Sequence, residues 1–127
     1  MAEKKGAVLL VEDEEDICWA LELILAQMEF GMTAANNGRK GLDLARQGTF
    51  AAVLVDAKLP DIEGIELASR IRESQPNLPL ILISGYFYQD DAAVRESIEG
   101  GLFRAFISKP FEASEVKEAL QAALRGK

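Results

Sequence analysis

Five side chains in this sequence stand where they could do chemistry together: the carboxylates of Glu12, Asp13 and Asp56, the hydroxyl of Ser84 and the ammonium of Lys109. Each follows or ends a short apolar run. Three carboxylates in one crevice repel each other unless a cation sits among them. Every candidate ligand is an oxygen, which points to Mg²⁺ or Mn²⁺ rather than zinc. Magnesium held by two or three carboxylates keeps several waters and typically waits for a phosphoryl group. Lys109 supplies a compact cationic partner for an anionic oxygen. The Ser84 hydroxyl can donate to another. The group these parts surround is then a phosphoryl group on Asp56, handled by positioning and charge neutralisation.

Taken singly, each residue has a plainer account. Acids are favoured at a helix N-terminus, and that account is kept for Glu14, Glu15 and Asp16. Ser84-Gly85 alone is an ordinary loop, Lys109-Pro110 an exposed turn, and Asp56 a polar residue marking a strand end. Their joint placement at the ends of several strands is what shifts the reading.

The elements that must position them are legible as alternating patterns. Ala7 to Val11 is a continuous apolar run, read as a buried strand. A helix follows with Ile17, Leu21, Ile24, Leu25 and Met28 on one stripe, closed by Gly31 as its C-terminal cap. Met32 to Ala35 is a weaker strand, Asn36-Asn37-Gly38 a turn, and Arg39 to Arg46 a helix with Gly41 inside it. Ala51 to Val55 is a strand rich in β-branched residues that stops at Asp56. Pro60 bars its continuation, and Gly64 is expected to permit an unusual backbone angle before the next helix. That helix carries Ile65, Ala68 and Ile71. Leu80 to Ile83 is the fourth strand, Gln89 to Glu99 a helix anchored by Val94 and Ile98, and Phe103 to Ile107 the fifth strand. A last helix opens at Ser114 and carries Val116, Leu120, Ala123 and Leu124. Five strands alternating with five helices dictate a parallel sheet, doubly wound, with helices on both faces. In such sheets ligands bind at the carboxyl ends of the strands.

The bulk properties narrow the function classes. With 127 residues the chain reads as one domain, 1–127, with its core at about 7–124. The net charge of −7 makes direct nucleic-acid binding a poor fit, because phosphate contacts need clustered Lys and Arg. The absence of His excludes imidazole catalysis and His-ligated metals. One cysteine, Cys18, rules out an internal disulfide and reads as cytoplasmic. No apolar run is long enough to span a membrane, and the first residues do not read as a signal peptide. Cys18 reads as a small core residue and Trp19 as lying off the helix stripe.

The ordered set of motifs resembles the receiver domain of two-component response regulators over essentially the whole chain. It consists of the acidic pair in VLLVEDEEDI, D-x-x-L-P-x-x-x-G from Asp56 to Gly64, Ser84-Gly85 and Lys109-Pro110-Phe111. The resemblance implies an α/β, flavodoxin-like (βα)5 fold with strand order 2-1-3-4-5. It implies that Asp56 accepts a phosphoryl group from a partner histidine kinase or phosphotransfer protein. Glu12, Asp13 and Asp56 would hold Mg²⁺ with the backbone carbonyl of Lys58. Ser84 and Lys109 would bind phosphoryl oxygens. Movement of Ser84 would couple to the aromatic Phe106 on the fifth strand and switch the surface of the fourth helix, fifth strand and fifth helix. A downstream protein or fused output domain would read the change, with a phosphorylation-dependent dimer left open.

The chain departs from the family pattern at informative places. Leu59 stands where Met is common, and Phe106 replaces the frequent Tyr. Lys58 and Tyr86 fall at the two positions flanking the phosphoryl group, and Tyr86 opens an aromatic cluster with Phe87 and Tyr88. The rival function is a small Mg²⁺-dependent phosphohydrolase with an aspartyl nucleophile. Such an enzyme usually has an acid two residues after the nucleophile, where this chain has Lys58. A flavodoxin-like cofactor carrier would need a phosphate loop after the first strand, and five acids occupy that place. The domain is therefore expected to act as a switch rather than an enzyme, either alone or as part of a longer protein.

Overall fold

The computed structural model describes residues 6–85 and 92–125. Five parallel strands form one sheet: β1 (Ala7–Val11), β2 (Gly31–Ala35), β3 (Ala52–Asp56), β4 (Leu80–Gly85) and β5 (Ala105–Lys109). Between and after them run α1 (Glu15–Gln27), α2 (Gly38–Gln47), α3 (Gly64–Ser74), α4 (Ala92–Glu99) and α5 (Ala113–Arg125). The spatial order is β2-β1-β3-β4-β5, the flavodoxin-like order expected from the motifs.

Strand periodicity splits the core into two layers. Val8 and Leu10 of β1 pack with Leu21, Ile24 and Leu25 of α1 and Val116, Leu120 and Ala123 of α5. Leu9 and Val11 turn the other way, toward Leu42 of α2, Leu67 and Ile71 of α3 and Val94 of α4. The central strand β3 is buried along its whole length, including Asp56 at its end.

Several local expectations are corrected. Gly31 does not cap α1; it is the first residue of β2. The cap is built two residues earlier around Glu29, which takes the left-handed conformation at φ 69. Glu29 N–H donates to Ala26 O and Phe30 N–H to Leu25 O at 2.9 Å, while Phe30 and Leu25 pack in one core layer. Gly41 lies inside α2 as expected, and the reason is that the helix sits directly on β1: a Cβ there would fall 2.7 Å from Val11 Cγ2. Gly64 has no unusual backbone angle. It is required by close approach, since a Cβ would lie 2.2 Å from the carbonyl oxygen of Asp56.

The fifth strand begins at Ala105 rather than Phe103, so Lys109 is its last residue and not part of the following turn. Phe103 is buried just before it. In α4, Val94 is buried as expected, but Ile98 is 36% exposed. The position beside it, Ser97, is the buried one, and its hydroxyl donates to Val94 O at 2.7 Å. A hydroxyl can turn inward there because the helix backbone satisfies it. The expected start of this helix at Gln89 and the cluster Tyr86-Phe87-Tyr88 lie outside the described residues.

Candidate functional site

The carboxyl edge of the sheet gathers the five chemical side chains from four strands. Glu12 and Asp13 follow β1, where Glu12 N–H donates to Ala35 O at 3.0 Å and so extends the ladder with β2. Asp56 ends β3 in register with Ile83. Ser84 lies in β4 opposite Ser108, and Lys109 ends β5 opposite Gly85. The parallel register thus delivers each residue to the same edge. The Lys109–Pro110 peptide is cis.

Lys109 is the hub. Its Nζ stands 3.0 Å from Glu12 Oε1, 3.3 Å from Asp56 Oδ1 and 3.0 Å from Glu14 Oε1. The ammonium meets Asp56 and Glu14 in hydrogen-bond geometry. Toward Glu12 Oε1 it lies at ion-pair distance, and that buried oxygen has no hydrogen-bond partner among the described residues. Glu12 Oε2 accepts from Glu14 N–H at 3.2 Å. Ligand oxygens of Glu12, Asp13 and Asp56 all lie within 4.8 Å of one another.

Burial makes this arrangement electrically tense. It pushes Glu12 up to about 7, with the Asp56 charge adding to the effect and Lys109 opposing it. Burial also raises Asp56, against the pull of Lys109, of Glu12 and of a backbone hydrogen bond from Lys58. For Lys109, burial alone would lower the ammonium's pKa; the hydrogen bond to Glu14, the close carboxylate of Glu12 and the Asp56 charge more than offset it and hold the group above lysine's usual value. The lysine is locked in its charged form, but one cation faces several carboxylates.

The donor set fits a divalent cation. It consists of carboxylate oxygens, two from buried residues, and the Glu12 Oε1 atom has no hydrogen-bond partner among the described residues. Ser84 Oγ is likewise buried and without a hydrogen-bond partner among the described residues. A buried hydroxyl left unpaired costs free energy, and an arriving acceptor oxygen would relieve it. A cleft of about 260 Å³ opens beside Glu12 and Asp13, bordered by Asn36 and Lys40. The larger cleft, about 530 Å³, lies between α1 and β2, lined by Trp19, Glu22 and Met32 and without Asp56.

Comparison with known proteins agrees with this geometry. The family model for the response regulator receiver domain matches residues 8–121. The chain belongs to the receiver domain family of response regulators. The receiver domain is 35% identical over 122 residues to the uncharacterized transcriptional regulatory protein YkoG of Bacillus subtilis, covering 96% of this chain and 52% of that protein. It is 30% identical over 120 residues to the cell cycle response regulator CtrA of Brucella ovis, covering 93% of this chain and 50% of that one. The chain thus spans about half the length of the curated relatives it matches. Among solved structures it resembles the receiver domain of the sensor histidine kinase PA1611 from Pseudomonas aeruginosa, which carries a magnesium ion in its active-site cleft. The TM-score is 0.83 at 25% identity, covering 98% of this chain and 100% of that one. A response regulator from Chloroflexus aurantiacus gives a TM-score of 0.86 at 26% identity, covering 96% and 99%.

In the receiver domain the remaining singled-out residues fall as follows. Lys58 is exposed, and its backbone pairs with Glu63 in an isolated antiparallel bridge. Phe106 is half-buried opposite Leu82, packed against the α2–α3–α4 layer. Tyr86 lies outside the described residues. Cys18 is half-buried against the other layer, and its Sγ donates to Glu12 O at 3.5 Å. Trp19 is 68% exposed, as its place off the stripe requires.

Two residues at the site were not legible beforehand. Glu14, expected only as a helix-end acid, is the exposed partner of Lys109 and makes no side-chain cap on α1. Asp61 reaches across to the start of α2. The acidic run after β1 pointed to Glu14; nothing local points to Asp61, whose partners lie 22 and 23 residues earlier.

Proposed function

We propose that this receiver domain is a phosphorylation switch in which Asp56 takes a phosphoryl group from the phosphohistidine of a partner kinase or phosphotransfer protein. The observation that carries the reading is the meeting of three carboxylates with one ammonium: Glu12, Asp13 and Asp56 within 4.8 Å, and Lys109 Nζ 3.3 Å from Asp56. A divalent cation held by these carboxylates and the Lys58 carbonyl would neutralise charge on the phosphoryl group. An Asp56 carboxylate oxygen attacks phosphorus; the P–N bond breaks as the O–P bond forms. Lys109 pairs with a phosphoryl oxygen in place of the carboxylate, and the orphaned Ser84 hydroxyl donates to another. Withdrawal of Ser84 toward the phosphoryl group opens room for Phe106, changing the face made by α4, β5 and α5. A kinase would write this state, and a downstream protein or output domain would read it. Lys58 at the second position after Asp56 leaves no acid there to activate water, which favours a switch over a phosphohydrolase.

The test is covalent labelling by acetyl phosphate with Mg²⁺. One phosphoryl group per chain is expected, none on Asp56→Asn, and none after chelation of the metal. Equal labelling of the Asn variant would overturn the assignment.

A further inference from the structure

The loop between β3 and α3 is tied at its tip to a different helix. Asp61 Oδ1 accepts from Gly38 N–H at 2.7 Å, and Oδ2 from Arg39 N–H at 3.0 Å. The next N–H, that of Lys40, is taken by Asn37 Oδ1 at 2.8 Å. The first turn of α2 is therefore satisfied by one side chain of its own and one from the loop. α2 has no acid in its own first turn; the negative charge its positive end favours is Asp61. The hydrogen bond from Gly38 holds the Asp61 carboxyl below its usual range.

The contact is close enough to demand glycine. A Cβ on Gly38 would fall 2.1 Å from Ile62 Cγ2 and 3.2 Å from Asp61 Oδ1. At its base the same loop is closed by Gly64 N–H to Ala57 O at 2.8 Å and by the Lys58–Glu63 bridge. α2 in turn is seated through Gly41 on Val11, the residue before Glu12. The helix that grips Asp61 is thus registered on the strand that delivers Glu12.

We propose that Asp61 is a positioning residue for the metal and phosphoryl site: by fastening the β3–α3 loop to the start of α2, its carboxylate keeps the Lys58 backbone aligned with Glu12 and Asp13. The inference rests on the reading above, in which the Lys58 carbonyl completes the metal set. It makes α2 part of the site's frame, so a shift of its first turn reaches the metal.

Calorimetric titration of the whole chain with Mg²⁺, paired with thermal melting, separates positioning from stability. Asp61→Ala is expected to weaken Mg²⁺ binding about tenfold, the low end for losing an outer partner of a metal site. Asp61→Asn keeps an acceptor oxygen and should recover part of the affinity. Asn37→Ala removes a cap bond from the same turn without freeing the loop; it should melt earlier but bind Mg²⁺ like the parent. Parental affinity in Asp61→Ala, or an equal loss in Asn37→Ala, overturns the proposal. Should Asp61→Ala not fold, Asp61→Asn against Asn37→Ala decides by the same criterion. Undiminished binding in Asp13→Ala would instead strike the reading of the metal site, and this inference with it.

Discussion

Glu12 Oε1 and Lys109 Nζ stand 3.0 Å apart, and the glutamate side chain is fully enclosed. The same ammonium serves Asp56, also nearly enclosed, and Glu14, which is 62% exposed. One cation is thus shared between two buried acids and a third in solvent. Lys109→Met should cost about 3 kcal/mol at pH 8 in chelator, the low end for stripping one partner from a buried ion pair. Glu14→Ala should cost less than about 1 kcal/mol, as exposed pairs do. Because Mg²⁺ can replace the missing charge, it should raise the melting temperature of Lys109→Met more than that of the parent. Denaturant and thermal unfolding check both; equal costs for the two variants would contradict the assigned burial.

The raised acids set a direction for pH. Glu12 binds its proton up to about 7 in the folded chain against 4.5 in its unperturbed form. The folded state then holds more protons than the unfolded between those values, so stability falls as pH rises through them. Asp56 is shifted the same way. Each pH unit in that window removes up to about 1.4 kcal/mol per fully shifted group. The metal-free protein should therefore melt at a lower temperature at pH 8 than at pH 5. Mg²⁺, which binds the deprotonated acids, should flatten the slope. Glu12→Gln should reduce the slope without metal; a slope unchanged in that variant would remove Glu12 as its cause.

Glu29 holds a left-handed conformation that favours glycine, at φ 69. A non-glycine residue there carries a steric cost of about 1–2 kcal/mol, partly offset by the greater freedom glycine has when unfolded. Glu29→Gly should stabilise the chain by roughly 0.5–1 kcal/mol. No rise in the unfolding midpoint would mean the end of α1 relaxes in solution.

Among the described residues α4 spans Ala92–Glu99, with Val94 and the small polar Ser97 turned inward. A helix whose described inward contacts include a small polar residue is suited to move. Amide exchange should change on phosphorylation in α4 and β5 more than in α1, whose Leu21, Ile24 and Leu25 are buried. A uniform response, or one confined to residues 15–27, would contradict a switch on that face.

Loss of the phosphoryl group requires water in line behind phosphorus. By the family resemblance Lys58 and Tyr86 would flank the phosphoryl group; neither is a carboxylate or an amide, so neither would orient that water well. Slow self-dephosphorylation is expected. A tenfold change needs only about 1.4 kcal/mol of barrier. Lys58→Asn and Tyr86→Ala should each lose phosphate several-fold faster than the parent; parental decay in both would show that these side chains do not guard the site.

The sequence by itself determined the alternation of strands and helices, and with it the parallel sheet and the edge where chemistry gathers. Apolar runs such as Val8–Val11 and Ala52–Val55 are buried, and the charged residues that follow or end them lie at the sheet's carboxyl edge. Strands buried on both faces, however, carry no alternation. Only the folded chain decided that Leu10 meets α1 while Val11 meets α2. The reasons for two glycines were also decided by distant contacts: Gly41 fits inside α2 because Val11 is beneath it, and Gly64 is glycine because the carbonyl of Asp56 is against it. Glu12, Asp13, Asp56, Ser84 and Lys109 were legible as a set because each follows a local pattern, a strand stopping at a polar residue. The three-way sharing of Lys109 and the grip of Asp61 on α2 were not. Those contacts join residues far apart in sequence, and hydrogen bonds of that kind leave no periodic trace in the residues between them.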